Sequence, residues 1–200
     1  MSQPNPTGAG RPRDPSLDER VYVAASRLYA QSGWAGFSIE AVAREARVGK
    51  SSIYLRWPDT TALLLDTLKT RINMPYDDTD TGSARGDLIV LLGRVLRALA
   101  GENGDAILRL SSEGRLVPEL ADRWQEFLTA NVTPMRRIVR RGITRGDLPE
   151  GTNVNLLLDT LFGGVLMRCL MTPPSGMPAL AKKADKYCQS LVDLSLANLG

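Results

Sequence analysis

The eleven residues Val48–Pro58, VGKSSIYLRWP, put two serines, a lysine, a tyrosine, an arginine and a tryptophan directly after a short apolar helix. A buried segment would leave that many polar groups without partners. A merely solvated helix has no use for the aromatics. The chemistry that suits these types together is recognition of a phosphate backbone. Lys50 and Arg56 neutralise phosphates and release counterions. Ser51 and Ser52 are short donors at a helix N-terminus, which itself attracts anions, and their size lets the helix approach base edges. Other chemistry is poorly represented. Histidine is absent, which removes the commonest general base and metal ligand. There is no G-x-S-x-G, no glycine-rich phosphate loop and no cluster of carboxylates and cysteines. Nothing here suggests an enzyme, and no cofactor or metal is expected. Cys169 and Cys188 lie far apart in apolar surroundings and read as buried structural thiols.

The elements that would position those residues are helical. Ser16 with Glu19 fits a capping box, Leu17, Val21, Ala24 and Leu28 recur at helical spacing, and Gly33 closes the first helix. Ser38 caps a second helix whose inner stripe is Ile39, Val42 and Ala43, ending near Ala46. After a tight turn, KSSIYLRW predicts a third helix of two turns, with Ile53 inward and Pro58 as the stop. Trp57 is expected to pack between this helix and a fourth, which Asp59 caps and which runs to about Asn73. Short helix, tight turn, short helix is a helix-turn-helix, whose second helix enters the major groove of double-stranded DNA.

The stretch MPYDDTDTGSARGD breaks the composition. Beyond it the spacing predicts helices over 84–100, 104–113, 118–144, 153–171 and 178–198, with Pro134 kinking or breaking the third of these. No alternating strand pattern appears. The fold class expected is all-α with about nine helices: a disordered basic arm over 1–15, a helix-turn-helix DNA-binding domain over 16–74, and a helical ligand-binding and dimerisation domain over 75–200. Net charge is only +3, but residues 1–74 hold ten Lys/Arg against seven Asp/Glu, while the rest of the chain is balanced. A positive end on a neutral body fits a nucleic-acid footprint, and GRPR, Gly10 to Arg13, is suited to a minor groove. No apolar run reaches the roughly 18 residues of a membrane span, and the N-terminus lacks the apolar region of a secretory signal. A cytoplasmic protein is expected.

The block Arg20 to Leu68, RVYVAASRLYAQSGWAGFSIEAVAREARVGKSSIYLRWPDTTALLLDTL, resembles the TetR family DNA-binding domain. RGDLPEGTNVNLLLDTLFGGVLMRCLM, Arg145 to Met171, looks like the ligand-binding and dimerisation domain of one TetR subgroup. The resemblance implies a homodimeric regulator, usually a repressor of a palindromic operator, released by a small-molecule effector in its C-terminal core. It makes Tyr54 a backbone contact and puts Leu55, suited to a thymine methyl, where a larger polar residue often stands. Three positions depart from the pattern. Arg47 stands where the turn commonly has glycine, at a cost on the order of 1 kcal/mol, and is a further candidate phosphate contact. Gly49 replaces a capping Ser or Thr. Thr60 replaces a lysine.

The same resemblance suggests Trp124, Phe127, Met135, Phe162 and Met167 as effector-pocket candidates, with a plain core as the alternative. It makes the last two helices a dimer interface through Leu157, Leu161, Val165, Leu180, Tyr187, Leu191 and Leu194; burial within a monomer is the alternative. Asp159 and Arg168 are read as facing solvent or a partner. Gly163 and Gly164, each costing about 1 kcal/mol inside a helix, point to close helix approach or room for a ligand. Two other functions stay open: a sequence-independent DNA-binding protein, and a small-molecule binder that has lost specific DNA binding.

Overall fold

Every regular element among the described residues is helical. The structure is a computed structural model that describes residues 15–72, 79–197 and 199; the GRPR arm lies outside them. The first four helices are α1 (Pro15–Gly36), α2 (Ile39–Ala46), α3 (Lys50–Tyr54) and α4 (Thr60–Arg71). They close on a small core of Val21, Ala25 and Tyr29 from α1, Ile39 and Val42 from α2, Ile53 from α3, and Leu63 and Leu64 from α4. Their ends follow local chemistry. The Ser38 hydroxyl accepts from the Ala41 N–H at 3.2 Å and the Asp59 carboxylate from the Ala62 N–H at 2.7 Å. Gly33 interrupts α1 with φ of 64°, and a last turn carries on to Gly36. Ser16 sits inside the first turn of α1, which already includes Pro15, so it is not the cap the spacing suggests.

The rest of the chain forms α5 (Ala84–Leu99), α6 (Gly104–Glu113), α7 (Pro118–Arg145), α8 (Val154–Leu170), a 3₁₀ turn (Pro174–Gly176), α9 (Met177–Lys182) and α10 (Ala184–Leu196). Helix α5 is the hub, buried along much of its length against α10, α8, α7 and α6. Two expectations are narrowed here. The last predicted helix is two, parted at Lys183, so the described residues hold ten α-helices where about nine were expected. Pro134 does not break α7, which runs through it unbroken. Burial of Leu120 on one side of the proline and of Met135, Ile138 and Val139 on the other outweighs the roughly 3 kcal/mol that an interior proline costs. Cys169 and Cys188 are free and fully buried, and burial pushes both thiols up, Cys188 to about 11.

One buried charge organises the outer end of this body. Asp87 is fully buried on α5, where it accepts from the Thr81 N–H at 2.6 Å and the Thr81 hydroxyl at 2.8 Å. Arg141 and Arg145 of α7 each donate to its Oδ2 at 2.9 Å. Burial alone would raise the carboxyl, but these hydrogen bonds and cations hold it below the ordinary aspartate value.

Candidate nucleic-acid interface and effector cavity

Helix α2 ends in a Schellman turn. The Arg47 N–H donates to the Arg44 carbonyl at 3.3 Å and the Val48 N–H to the Ala43 carbonyl at 3.0 Å. That turn needs a left-handed residue, and Arg47 takes it with φ 55° and ψ 48°, the one non-glycine at positive φ among the described residues. The strain anticipated for Arg47 is therefore present. Replacing Arg47 with glycine is expected to raise stability by about 0.5–1 kcal/mol. If Arg47 also touches phosphate, the same change lowers DNA affinity. Thermal melting and a binding titration on one preparation read the two opposite signs.

Helix α3 is shorter than the two turns expected. Its regular part ends at Tyr54 and the chain winds on through irregular turns to Trp57, ahead of Pro58. Only Ile53 of α3 is buried. Outward stand Arg47, Lys50 and Ser51, with Ser52 partly covered, Tyr54 half exposed and Leu55 84% exposed. The Lys50 ammonium pairs with Glu40 of α2 at 3.1 Å, with both side chains about half exposed. The Glu40 carboxyl is held below its ordinary value by a backbone N–H and by Lys50.

Arg56 is a correction. Its guanidinium forms an ion pair with Asp18 of α1 and donates to the Ser52 carbonyl at 3.0 Å, and its side chain is 20% exposed. Its charge is spent fastening the end of α3 to α1, so it does not stand out on the face as a free phosphate contact. Trp57 packs inward as expected. Its indole N–H donates to Asp66 at 2.8 Å, the Tyr22 hydroxyl donates to the same oxygen at 2.7 Å, and the two rings meet edge to face at 5.5 Å. Burial and Asp66 push the Tyr22 hydroxyl up to about 12. Asp18, Tyr22 and Asp66 thus aim the face from beneath. Sequence reasoning missed them because each lies on another helix from the side chain it holds.

Between α5, α6, α7 and α8 lies a cavity of about 580 Å³. Phe127, Met135 and Phe162 line it, with Val95, Leu99 and Ile107. Two pocket candidates are misplaced. Trp124 stacks on Phe127 at 5.5 Å and packs against Gly114 outside the cavity, and Met167 is 56% exposed on the outer side of α8. Asn131, Arg136, Asn155 and Asp159 line the cavity as well and were not anticipated as a set. The available signal was polar residues recurring on α7 and α8 among apolar ones. Gly163 also lines the cavity, while Gly164 lets α10 approach: a Cβ there would lie 2.9 Å from the Leu191 side chain.

Helix α6 carries the cavity wall on one side and the first helix on the other. Ile107 and Ser111 line the cavity, whereas Arg109 donates to the Ala30 carbonyl and Glu113 accepts from the Trp34 N–H, both at 3.0 Å. Gly33 is what lets Glu113 in, for a Cβ at Gly33 would overlap its carboxylate. Gly33→Ala is expected to cost about 2 kcal/mol, from strain at positive φ plus the displaced Glu113, read as a lower melting temperature.

Residues 21–67 match the family profile described as bacterial regulatory proteins, tetR family, and residues 78–186 match the tetracyclin repressor-like C-terminal domain. The chain belongs to the TetR family of transcriptional regulators, a non-enzymatic class. It is 26% identical over 164 residues to the uncharacterized HTH-type transcriptional regulator YdeS of Bacillus subtilis (82% of this chain, 83% of that protein). It is 29% identical over 164 residues to the HTH-type transcriptional regulator AqdR of Rhodococcus erythropolis (82% of this chain, 79% of that one). Among solved structures it shares its fold with the transcriptional regulator FadR of Bacillus subtilis in complex with stearoyl-CoA, at a TM-score of 0.67 and 19% identity, covering 91% of this chain and 99% of that one. The helix-turn-helix and the helical body expected from the sequence are thus those of a TetR-family regulator.

Most of the residues expected at a dimer interface are covered within this chain. Leu157, Leu161, Val165 and Leu180 are buried inside this chain, at 7% exposure or less. Tyr187 and Leu191 are partly covered, with the Tyr187 hydroxyl donating to the Gly164 carbonyl at 3.0 Å. Exposed instead are Leu156, Met167, Leu170 and Met171, together with Leu194 of α10, the one interface candidate that faces outward. Arg168 is exposed as expected; Asp159 is exposed too, but at the cavity described above. Arg168 lies over the Tyr187 ring at 6.0 Å. No single helix among the described residues is long and apolar enough to cross a membrane.

Proposed function

We propose that this TetR-family protein is a cytoplasmic, dimeric repressor whose grip on a palindromic operator is set by a small apolar or amphipathic effector. The reading divides the chain into a DNA-binding head over 16–74 and an effector and dimerisation body over 75–200. One observation carries it: α6 is at once a wall of the apolar cavity and the clamp on the end of α1. A ligand that repositions Ile107 or Ser111 must also move Arg109 and Glu113, and so the head. A ligand shifts such an equilibrium only by its differential affinity for the two positions.

On the DNA side, the residues assigned to contact are Arg47, Lys50, Ser51, Ser52, Tyr54 and Leu55, with Lys50 exchanging Glu40 for phosphate. On the dimer side, the apolar stripe Leu156, Met167 and Leu170 on α8 with Met171 just past its end, and Leu194 on α10, is the face offered to a second copy. Exposed apolar stripes of that kind mark interaction sites, and a two-fold dimer would present two heads to two half-sites. The stearoyl-CoA bound by the FadR neighbour supports an effector with a long apolar part, which suits a cavity lined by Phe127, Met135 and Phe162.

The test is selection of genomic fragments by the purified protein at physiological salt, where non-specific binding falls to about 10⁻⁴–10⁻⁶ M, with the solution mass measured alongside. Recovery of a few fragments sharing a palindrome, by a dimer, supports the reading. Fragments with no common site, or a monomer, overturn it.

A further inference from the structure

Asn131 is the one buried amide in the cavity wall, 8% exposed on α7 between the lining residues Leu128, Val132 and Met135. Its Nδ2 donates to the Phe127 carbonyl at 2.6 Å. That bond fixes the amide orientation, since a flipped amide would set oxygen against oxygen. The Oδ1 is left as an acceptor, and among the described residues nothing donates to it. It is not one of the side-chain atoms sealed off without a partner, so it stays open to whatever fills the cavity, and an apolar molecule that covers it without offering a donor leaves it unpaired at a cost. Ser111 repeats the pattern. It too lines the cavity, and its hydroxyl proton is spent on the Ile107 carbonyl at 2.9 Å, so toward the cavity it offers only lone pairs. The donors and charges of the wall, Arg136 and Asp159, stand exposed instead, with Arg136 donating to Asn155 at 3.2 Å. The covered part of the cavity is therefore apolar and presents acceptors.

We propose that Asn131 selects the effector: a predominantly apolar molecule that carries a hydroxyl or N–H donor on its buried part, placed against the Asn131 Oδ1. This rests on the reading of the cavity as the effector site. A site built around a hydrogen bond rejects the analogue that lacks it far more strongly than a purely apolar pocket rejects a change of size, because the buried polar group is then left unpaired.

The experiment uses matched pairs in which methylation removes the donor and keeps the oxygen: n-decanol and its methyl ether, and octylphenol and its methyl ether. Each competes with a lipophilic fluorescent dye bound to the full-length protein, wild type and Asn131→Leu. The wild type should favour the alcohol or phenol over its ether by at least about tenfold. Asn131→Leu should lose that preference, bind the ethers at least as well, and still melt cooperatively. Equal binding of alcohol and ether by the wild type overturns the inference and leaves the cavity reading standing. A preference that survives in Asn131→Leu also overturns it. Failure of the dye and every probe to bind overturns both. The wild-type comparison decides even if the variant does not fold.

Discussion

Ser51→Glu will bind operator at least about a hundredfold more weakly than the wild type and will be no less stable. Ser51 stands exposed in the first turn of α3, beside Lys50 and away from the buried Ile53. A carboxylate there is favourable for the isolated domain, since an acidic side chain in the first turn interacts well with the helix dipole, by about 0.3–1 kcal/mol. Against DNA the same carboxylate meets phosphates at close range. It also competes for Lys50, whose ammonium is already shared with Glu40 at 3.1 Å. Like charges brought together at an interface cost several kcal/mol, so a hundredfold is a modest expectation. Fluorescence anisotropy on the selected operator and a thermal melt of the same sample check it. Unchanged affinity would mean that α3 does not face DNA. A collapsed melt would mean that Ser51 has a structural role.

Asp87→Asn will lower stability by roughly 3 kcal/mol at neutral pH, the scale for breaking a buried ion pair by removing one partner. In a chain of this size that is about 10 °C in melting temperature. The carboxylate is fully buried and joins Thr81, Arg141 and Arg145, and the amide that replaces it carries no charge for the two guanidiniums. The pH dependence follows from the depressed carboxyl. The unfolded chain takes up the proton first, at the ordinary aspartate value of 3.8, and the folded chain only below it. The wild type therefore holds this contribution in full above that value and loses it as the pH falls through the folded one. Asp87→Asn should lack that part of the acid loss. Denaturant titrations from neutral to acid pH check both statements, and an equally steep acid loss in the variant would show that other carboxylates carry it.

Much of the head was legible because its signals are local. Ser38 and Asp59 are caps three residues from the N–H groups they bind, and Gly33 and Arg47 occupy the two positive-φ ends that the spacing marks. Arg56 was misread because its partner, Asp18, is distant in sequence, and no pattern along α3 tells a cation bound for phosphate from one bound for α1. The buried face of α8 was not legible for another reason. Leu156, Leu157 and Leu158 succeed one another and apolar residues run round the helix, so periodicity alone does not say which leucines turn inward. Packing on α5 and α10 decides it, covering Leu157, Leu161 and Val165 and leaving Leu156, Met167 and Leu170 outside. The cavity was half legible for a similar reason: aromatic and methionine side chains fill cores and line pockets alike. The acceptor that Asn131 offers emerges only once the hydrogen bond from its Nδ2 to the Phe127 carbonyl is known.

The two ion pairs beneath and beside the recognition face change what salt will do to binding. The ions released on binding are the cations condensed on the phosphates, and a carboxylate left behind on the protein takes part of that release back. When Lys50 leaves Glu40 for a phosphate, one anion replaces another, and the freed carboxylate gathers cations from solution. Arg56, held by Asp18, takes no part in the exchange. A plot of log affinity against log salt should thus be shallower than a census of basic side chains on the head would suggest. The operator complex would then lose less of its strength in concentrated electrolyte than those side chains promise.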